Sequence, residues 1–146
     1  MIYLGTDHAG FELKEEIKKY LLELNFEVED LGAFAFNEND DYPDFVVPVA
    51  QKVAANNAFG IVCGGSGQGE AIVANKIKGI RAAVYYGGPL DIVKLSRQHN
   101  NANILSLGAR FVKNEQAKEA VKLWLKTEFE GGRHERRIEK IKKLEK

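Results

Sequence analysis

The chain has 146 residues, 45% of them apolar, which is enough to bury one ordinary core without metal or disulfide staples. Lys plus Arg and Asp plus Glu each number 21, so no net field draws the protein to nucleic acid or an anionic membrane, and any anion site must be local. The single cysteine excludes an internal disulfide framework and an all-cysteine metal site, and fits a reducing, cytoplasmic setting.

Short β-rich runs alternate with amphipathic stretches, the pattern of an α/β fold with a parallel sheet. The first strand is Ile2 to Thr6; its leading "MIYLGT" lacks the basic flank of a signal peptide, so the chain reads as soluble and unprocessed. A helix follows from Ala9 to Asn25, with Phe11, Leu13, Ile17, Tyr20, Leu21 and Leu24 near helical period. "VEDLG" is a short second strand, and the polar loop "AFAFNENDDYP" leads to a helix through Val46, Val49, Ala50 and Val53 with Pro43 and Pro48 in its first turns. Residues 36–44 are the segment expected to be mobile. "FGIVC" reads as a buried third strand, and a glycine-rich stretch joins it to a helix through Ile72, Val73 and Ile77. "RAAVYY" and "NILSLG" are the fourth and fifth strands, separated by a helix from Leu90 to Gln98. Two C-terminal helices are split by Gly131-Gly132, and the second carries only a narrow stripe, Ile138, Ile141 and Leu144, suited to docking on a partner subunit. No repeat, linker or second core interrupts residues 1–146, which read as one domain.

Ligands of parallel sheets bind beyond the carboxyl ends of the strands. Those ends carry Asp7-His8, "GGSGQGE", Gly87-Gly88 and Arg110. A glycine-rich turn entering a helix exposes N–H groups that favour an anion or a developing oxyanion. Gly64 and Gly69 have the first spacing of a nucleotide P-loop, but Glu70 and Ala71 stand where that motif needs Lys and Ser or Thr. The dinucleotide pattern fails as well, because its last glycine comes one residue early. Taken alone, Glu70 reads first as a dipole partner in a first helical turn, ahead of a proton carrier, and Cys63 as a buried small hydrophobe, ahead of a reactive thiol. His8, His99 and His134 match no standard zinc spacing. Arg133 and Arg137 stand at i and i+4, suited either to clamping a phosphate or to a solvated basic face offset by Glu130, Glu135 and Glu139.

Five segments in one order, "GTDHAGFELK", "DYPDF", "GGSGQGEAIVANKIKGIRAA", "SRQHNNANILSLGAR" and "EGGRHERRIEKI", resemble the ribose-5-phosphate isomerase B family, which includes galactose-6-phosphate and allose-6-phosphate isomerases. The resemblance implies a Rossmann-like three-layer α/β/α sandwich with a five-stranded parallel sheet, and a homodimer or dimer of dimers with sites between subunits. It implies cofactor-free aldose to ketose isomerisation of a sugar phosphate, ribose 5-phosphate first; the histidine spacing and the charge balance add the expectation of no metal and of no nucleic-acid or membrane partner. One branch of the family uses a cysteine eleven residues before the Asn of "ANK", a position that is Gly64 here, so Cys63 lies one residue too early. The other branch uses a glutamate, here Glu70. Because strand residues alternate faces, a one-residue shift would redirect a thiol.

On that resemblance Glu70 carries the proton between C1 and C2, and His99 assists ring opening. Gly65, Ser66, Gly67, Gln68 and Gly69 cradle the enediolate. Asp7 and Asn100 bind sugar hydroxyls; His8, Arg133 and Arg137 hold the phosphate with help from Arg110; Tyr42 lines the sugar pocket. The alternatives are a six-carbon sugar-phosphate isomerase, and a non-catalytic phosphosugar-binding regulatory module on the same fold.

Overall fold

The structure is a computed structural model and describes residues 1–145. Its element order is β1 (Ile2–Thr6), a 3₁₀ turn (His8–Gly10), α1 (Phe11–Glu23), β2 (Val28–Asp30), α2 (Pro43–Asn56), β3 (Phe59–Gly64), α3 (Gln68–Ala74), β4 (Ala82–Tyr85), α4 (Asp91–Gln98), β5 (Ile104–Gly108), α5 (Asn114–Lys126) and α6 (Arg133–Lys142). The five strands form one parallel sheet in the order β2-β1-β3-β5-β4.

Two apolar layers enclose the sheet, giving the expected α/β/α sandwich. On one face Leu13, Ile17 and Leu21 of α1, Val93 of α4 and Ala117, Ala120, Val121 and Trp124 of α5 pack on Ile2, Leu4, Ile61, Cys63, Leu105 and Leu107. On the other, Val46, Val49, Ala50 and Val53 of α2 and Ala74 of α3 pack on Tyr3, Val62 and Ile104. Adjacent strand residues fall into opposite layers, as the pleat requires. The central strands β1 and β5 are buried throughout, as is β3 except at its half-buried first residue, whereas Ala82, Ala83 and Val84 on edge strand β4 are only half-buried.

Some boundaries differ from the sequence expectation for local reasons. Asp7 accepts the Ala9 N–H at 3.0 Å and winds His8–Gly10 into a 3₁₀ turn before α1 starts. The same helix closes at Glu23, ahead of Asn25 at φ 66°. Helix α3 stops at Ala74 instead of continuing through Ile77, because the Asn75 amide turns to β4, accepting the Ala82 N–H at 2.8 Å and donating to the Ala82 carbonyl at 3.2 Å. Its buried face is Glu70, Ala71 and Ala74, while Ile72 points outward.

A buried ion pair ties α1 to β2 beneath the sheet's carboxyl end. Lys14, 1% exposed, donates to both Asp30 carboxylate oxygens at 2.8 Å and to the Ala33 carbonyl at 2.6 Å. Burial raises the Asp30 pKa, but hydrogen bonds from Lys14 and Gly32 and the Lys14 charge outweigh it and hold the carboxyl below its ordinary value.

Candidate functional site

The residues singled out from the sequence collect at the two opposite ends of the sheet. At the carboxyl ends, β3 runs into Gly64-Gly65-Ser66 and turns into α3 at Gly67, whose φ of 80° is a left-handed conformation that glycine adopts without strain. This turn is fixed from below: Ser106 Oγ donates to the Gly67 carbonyl at 2.6 Å, and the Ala109 and Arg110 N–H groups donate to the Gly64 and Gly65 carbonyls at 2.7 and 3.0 Å. Ser66 Oγ accepts the Gln68 N–H at 3.3 Å. With their carbonyls tied back into the sheet, the turn residues hold a fixed frame at the start of α3.

Glu70 stands in the first turn of that helix and is only 4% exposed. Its carboxylate fills the space above Gly64, where a Cβ would overlap it. Cys63, one residue earlier, faces the opposite layer, packed among α1 residues and against Gly10. The pleat therefore separates the two candidates as the sequence frame predicted. Burial pushes the Cys63 thiol far up; the Lys14 charge opposes this, and the smaller influences of the Glu70 and Asp7 charges add to it.

Burial also pushes the Glu70 carboxyl above its ordinary value; the Glu70 N–H opposes this, the Asp7 charge adds to it, and the Gly67 N–H opposes it again. The preference of a helix N-terminus for the ionised form is therefore outweighed here, because the carboxylate is enclosed. Glu70 makes no ion pair among the described residues.

Around it lie the other strand-end residues. Asp7 is 6% exposed and close enough for its charge to act on Glu70. The exposed Arg110 side chain lies over Gly65, where a Cβ would meet its Nη1 at 3.0 Å. Tyr42 lies over Gly69, where a Cβ would meet the hydroxyl at 2.6 Å. His8 Nδ1 sits 2.7 Å from Asp40 Oδ1, a contact the sequence gave no sign of.

His99, Asn100, Arg133 and Arg137 lie at the amino ends. Arg97, buried at the end of α4, donates to the Thr127 and Ala102 carbonyls at 3.1 and 2.7 Å and to the Asn101 side chain at 3.0 Å, bringing the turn after α4 against the end of α5. The Glu130 N–H then donates to the Gln98 carbonyl at 3.0 Å. His99 stacks on His134 with ring centroids 4.1 Å apart and 14° between planes, and Glu130 Oε1 lies 3.4 and 3.8 Å from their Nε2 atoms. Burial, His99 and Arg133 push His134 below the ordinary histidine value. Arg133 and Arg137 are exposed and make no ion pair among the described residues.

Within one chain the two groups do not meet. From Ile104 to Gly108 of β5 there are four residue steps, roughly 13 Å at about 3.3 Å per step. His8 is thus separated from both arginines, and Glu70 from His99. A signal for this was present in the sequence: in an alternating parallel fold, a residue between a helix and its following strand lies at the amino edge. A cavity of about 780 Å³ lies on that side, between the β4 edge and Ile138, Ile141 and Leu144 of the α6 region, with Asn100 on its wall. Ile138 is 3% exposed but Ile141 and Leu144 are 47% and 79% exposed, so most of the stripe is uncovered.

Among the described residues, two groups of three side chains have metal-ligand types within mutual reach, Asp7/His8/Asp40 and His99/Glu130/His134. In the first, His8 Nδ1 and Asp40 Oδ1 already bond each other and Asp7 Oδ1 accepts the Ala9 N–H. The second opens toward solvent beside Arg133, whose charge disfavours a cation.

Comparison with known proteins gives a consistent result. The Ribose/Galactose Isomerase family model matches residues 2–141. Ribose-5-phosphate isomerase B of Escherichia coli is 44% identical over 146 residues, covering 99% of this chain and 95% of the relative. The solved structure of ribose-5-phosphate isomerase B from Clostridium thermocellum superposes with a TM-score of 0.93 at 46% identity, covering 98% of this chain and 95% of that one. That of the Mycoplasma genitalium enzyme with bound ribulose-5-phosphate superposes with a TM-score of 0.94 at 44% identity, covering 98% and 94%.

Proposed function

The chain belongs to the ribose/galactose isomerase family, and from that premise we propose that it interconverts ribose 5-phosphate and ribulose 5-phosphate through an enediolate, without a cofactor. The observation that carries this reading is the Glu70 carboxylate, enclosed above Gly64 at the mouth of the glycine turn with no ion-pair partner among the described residues. A structural carboxylate would be paired or exposed; one raised in basicity and left unpaired suits proton transfer.

In this mechanism Glu70 takes the proton from C2 of the open aldose and returns it to C1. The charge that develops on the enediolate oxygen is met by N–H groups of Gly65, Gly67, Gln68 and Gly69 with the Ser66 hydroxyl. Asp7 and Asn100 bind hydroxyls, Tyr42 walls the sugar pocket over Gly69, and His99 exchanges the proton that opens the ring. The phosphate lies with His8, Arg110, Arg133 and Arg137, so it does not compete with Glu70 for the glycine turn.

Such a site needs both ends of the sheet, and a second copy of the chain supplies the missing one: Glu70, Asp7, His8, Tyr42 and Arg110 from one protomer, His99, Asn100, Arg133 and Arg137 from its partner. The half-buried Ala82, Ala83 and Val84 on the β4 edge and the open Ile141 and Leu144 support association through this side. No helix among the described residues is long and apolar enough to cross a membrane, and the absence of a disulfide framework suits work in the cytoplasm.

Purified protein incubated without cofactor with ribose 5-phosphate, allose 6-phosphate and galactose 6-phosphate tests this reading. Ketose formed fastest from ribose 5-phosphate supports it. A preference for a six-carbon sugar reassigns the substrate, and tight binding with no ketose from any of the three would make the chain a binding module.

A further inference from the structure

Asp40 lies in the polar segment between β2 and α2, thirty-two positions from His8 in sequence, yet it is bonded twice to that residue. Its Oδ1 accepts the His8 backbone N–H at 3.0 Å and lies 2.7 Å from the ring Nδ1. The Asp40 side chain is 9% exposed and has no Lys or Arg in ion-pair reach among the described residues. Its Oδ2 is cut off from solvent and unpartnered. Burying a half-satisfied carboxylate costs stability, so this arrangement is a poor choice for structure alone. The His8 ring is held on another side by Phe36, edge-on with centroids 6.0 Å apart and 87° between planes.

We propose that Asp40 is a positioning residue for the substrate phosphate: it fixes His8 with a hydrogen on Nδ1, so that Nε2 is the nitrogen presented to the anion. This rests on the reading above that His8 contacts the phosphate. An ionised carboxylate only accepts, so Nδ1 must carry the hydrogen. The remaining nitrogen donates to an anion only when the ring holds its second proton, and Asp40 is the counter-charge for that form. A ring already oriented loses no rotational freedom when the ligand arrives. The same loop carries Tyr42 over Gly69, so the segment expected to be mobile is anchored at the phosphate end.

The test compares wild type, D40N, D40A and H8A, with thermal melting as a folding control. Long-range ¹H–¹⁵N spectra of the His8 imidazole should show the Nδ1–H form in wild type and D40N, whose amide oxygen still accepts, and a mixture dominated by Nε2–H in D40A. The KM for ribose 5-phosphate and the Ki for inorganic phosphate should rise about tenfold in D40A and about threefold in D40N, with kcat changed less than about threefold. A folded D40A with wild-type KM, or with the Nδ1–H form intact, overturns the proposal. Should D40A not fold, D40N decides, and wild-type KM and Ki in it overturn the proposal. If H8A raises KM while D40A does not, positioning by Asp40 alone has failed; if H8A leaves KM unchanged, the phosphate role of His8 has failed and the proposal falls with it.

Discussion

The two ends of the sheet are finished to different degrees. At the carboxyl end, Ser106, Ala109 and Arg110 bond the glycine turn into place, Asp40 holds His8, and Glu70 is enclosed. At the amino end, Arg133 and Arg137 stand exposed and unpaired among the described residues, and His99 leans on a stacked histidine and a solvent-facing Glu130. The contrast teaches that the half of the proposed site with the proton carrier is completed by folding, whereas the half with the arginine pair and the ring-opening histidine presents itself to another molecule. An unpaired i, i+4 arginine pair costs a little wherever it stands, and a bound dianion repays it.

The largest effect expected is at Glu70. E70Q should lower kcat by roughly 10² to 10⁴ while ribose 5-phosphate still binds. Because only the ionised carboxylate accepts a proton, wild-type kcat/KM should fall with decreasing pH through a value above the ordinary glutamate pKa of about 4.3. The same raised value means that the linked stability is present at low pH and lost as pH rises through it, so E70Q at pH 8 should melt no lower than wild type. A large fall in melting temperature with normal kcat would make Glu70 structural.

Next comes the support beneath that end. K14A leaves Asp30 only the half-exposed Lys18 and the Gly32 N–H as partners and should cost about 2 to 4 kcal/mol in denaturant unfolding. A loss below about 1 kcal/mol would show that solvent reaches the pair. At the amino end, R137A should raise KM for the phosphorylated sugar about tenfold and leave the melting temperature unchanged, since the side chain is exposed. An unchanged KM would remove it from the phosphate site. The smallest effect belongs to C63A, which should keep kcat within about twofold, and the folded wild-type thiol should resist alkylation at pH 8 because burial holds it protonated.

What could be read from the sequence follows the range of the interactions involved. The strands and the presence of each helix were legible because apolar spacing is local, and the one-residue frame between Cys63 and Gly64 was legible because a pleat alternates. Where α3 ends was not, since Asn75 leaves the helix to bond Ala82 on β4. Asp40 was invisible among the acids of its loop, because its partner His8 is brought to it only by the fold. The resemblance set Glu70 and His99 in one site between subunits without saying which subunit gives which residue; one chain holds them at opposite ends of the sheet, a separation contained in the alternation of elements but not in the chemistry of the residues.

Mixing two inactive variants tests the shared site most directly. E70Q and H99A, each purified, are combined, dissociated and allowed to reassociate at random. If one protomer supplies Glu70 and the other His99, half of the dimers are mixed and each has one intact site, so activity should return to about a quarter of wild type. Activity no greater than the sum of the two variants, with mixed dimers demonstrated in the sample, would contradict the account.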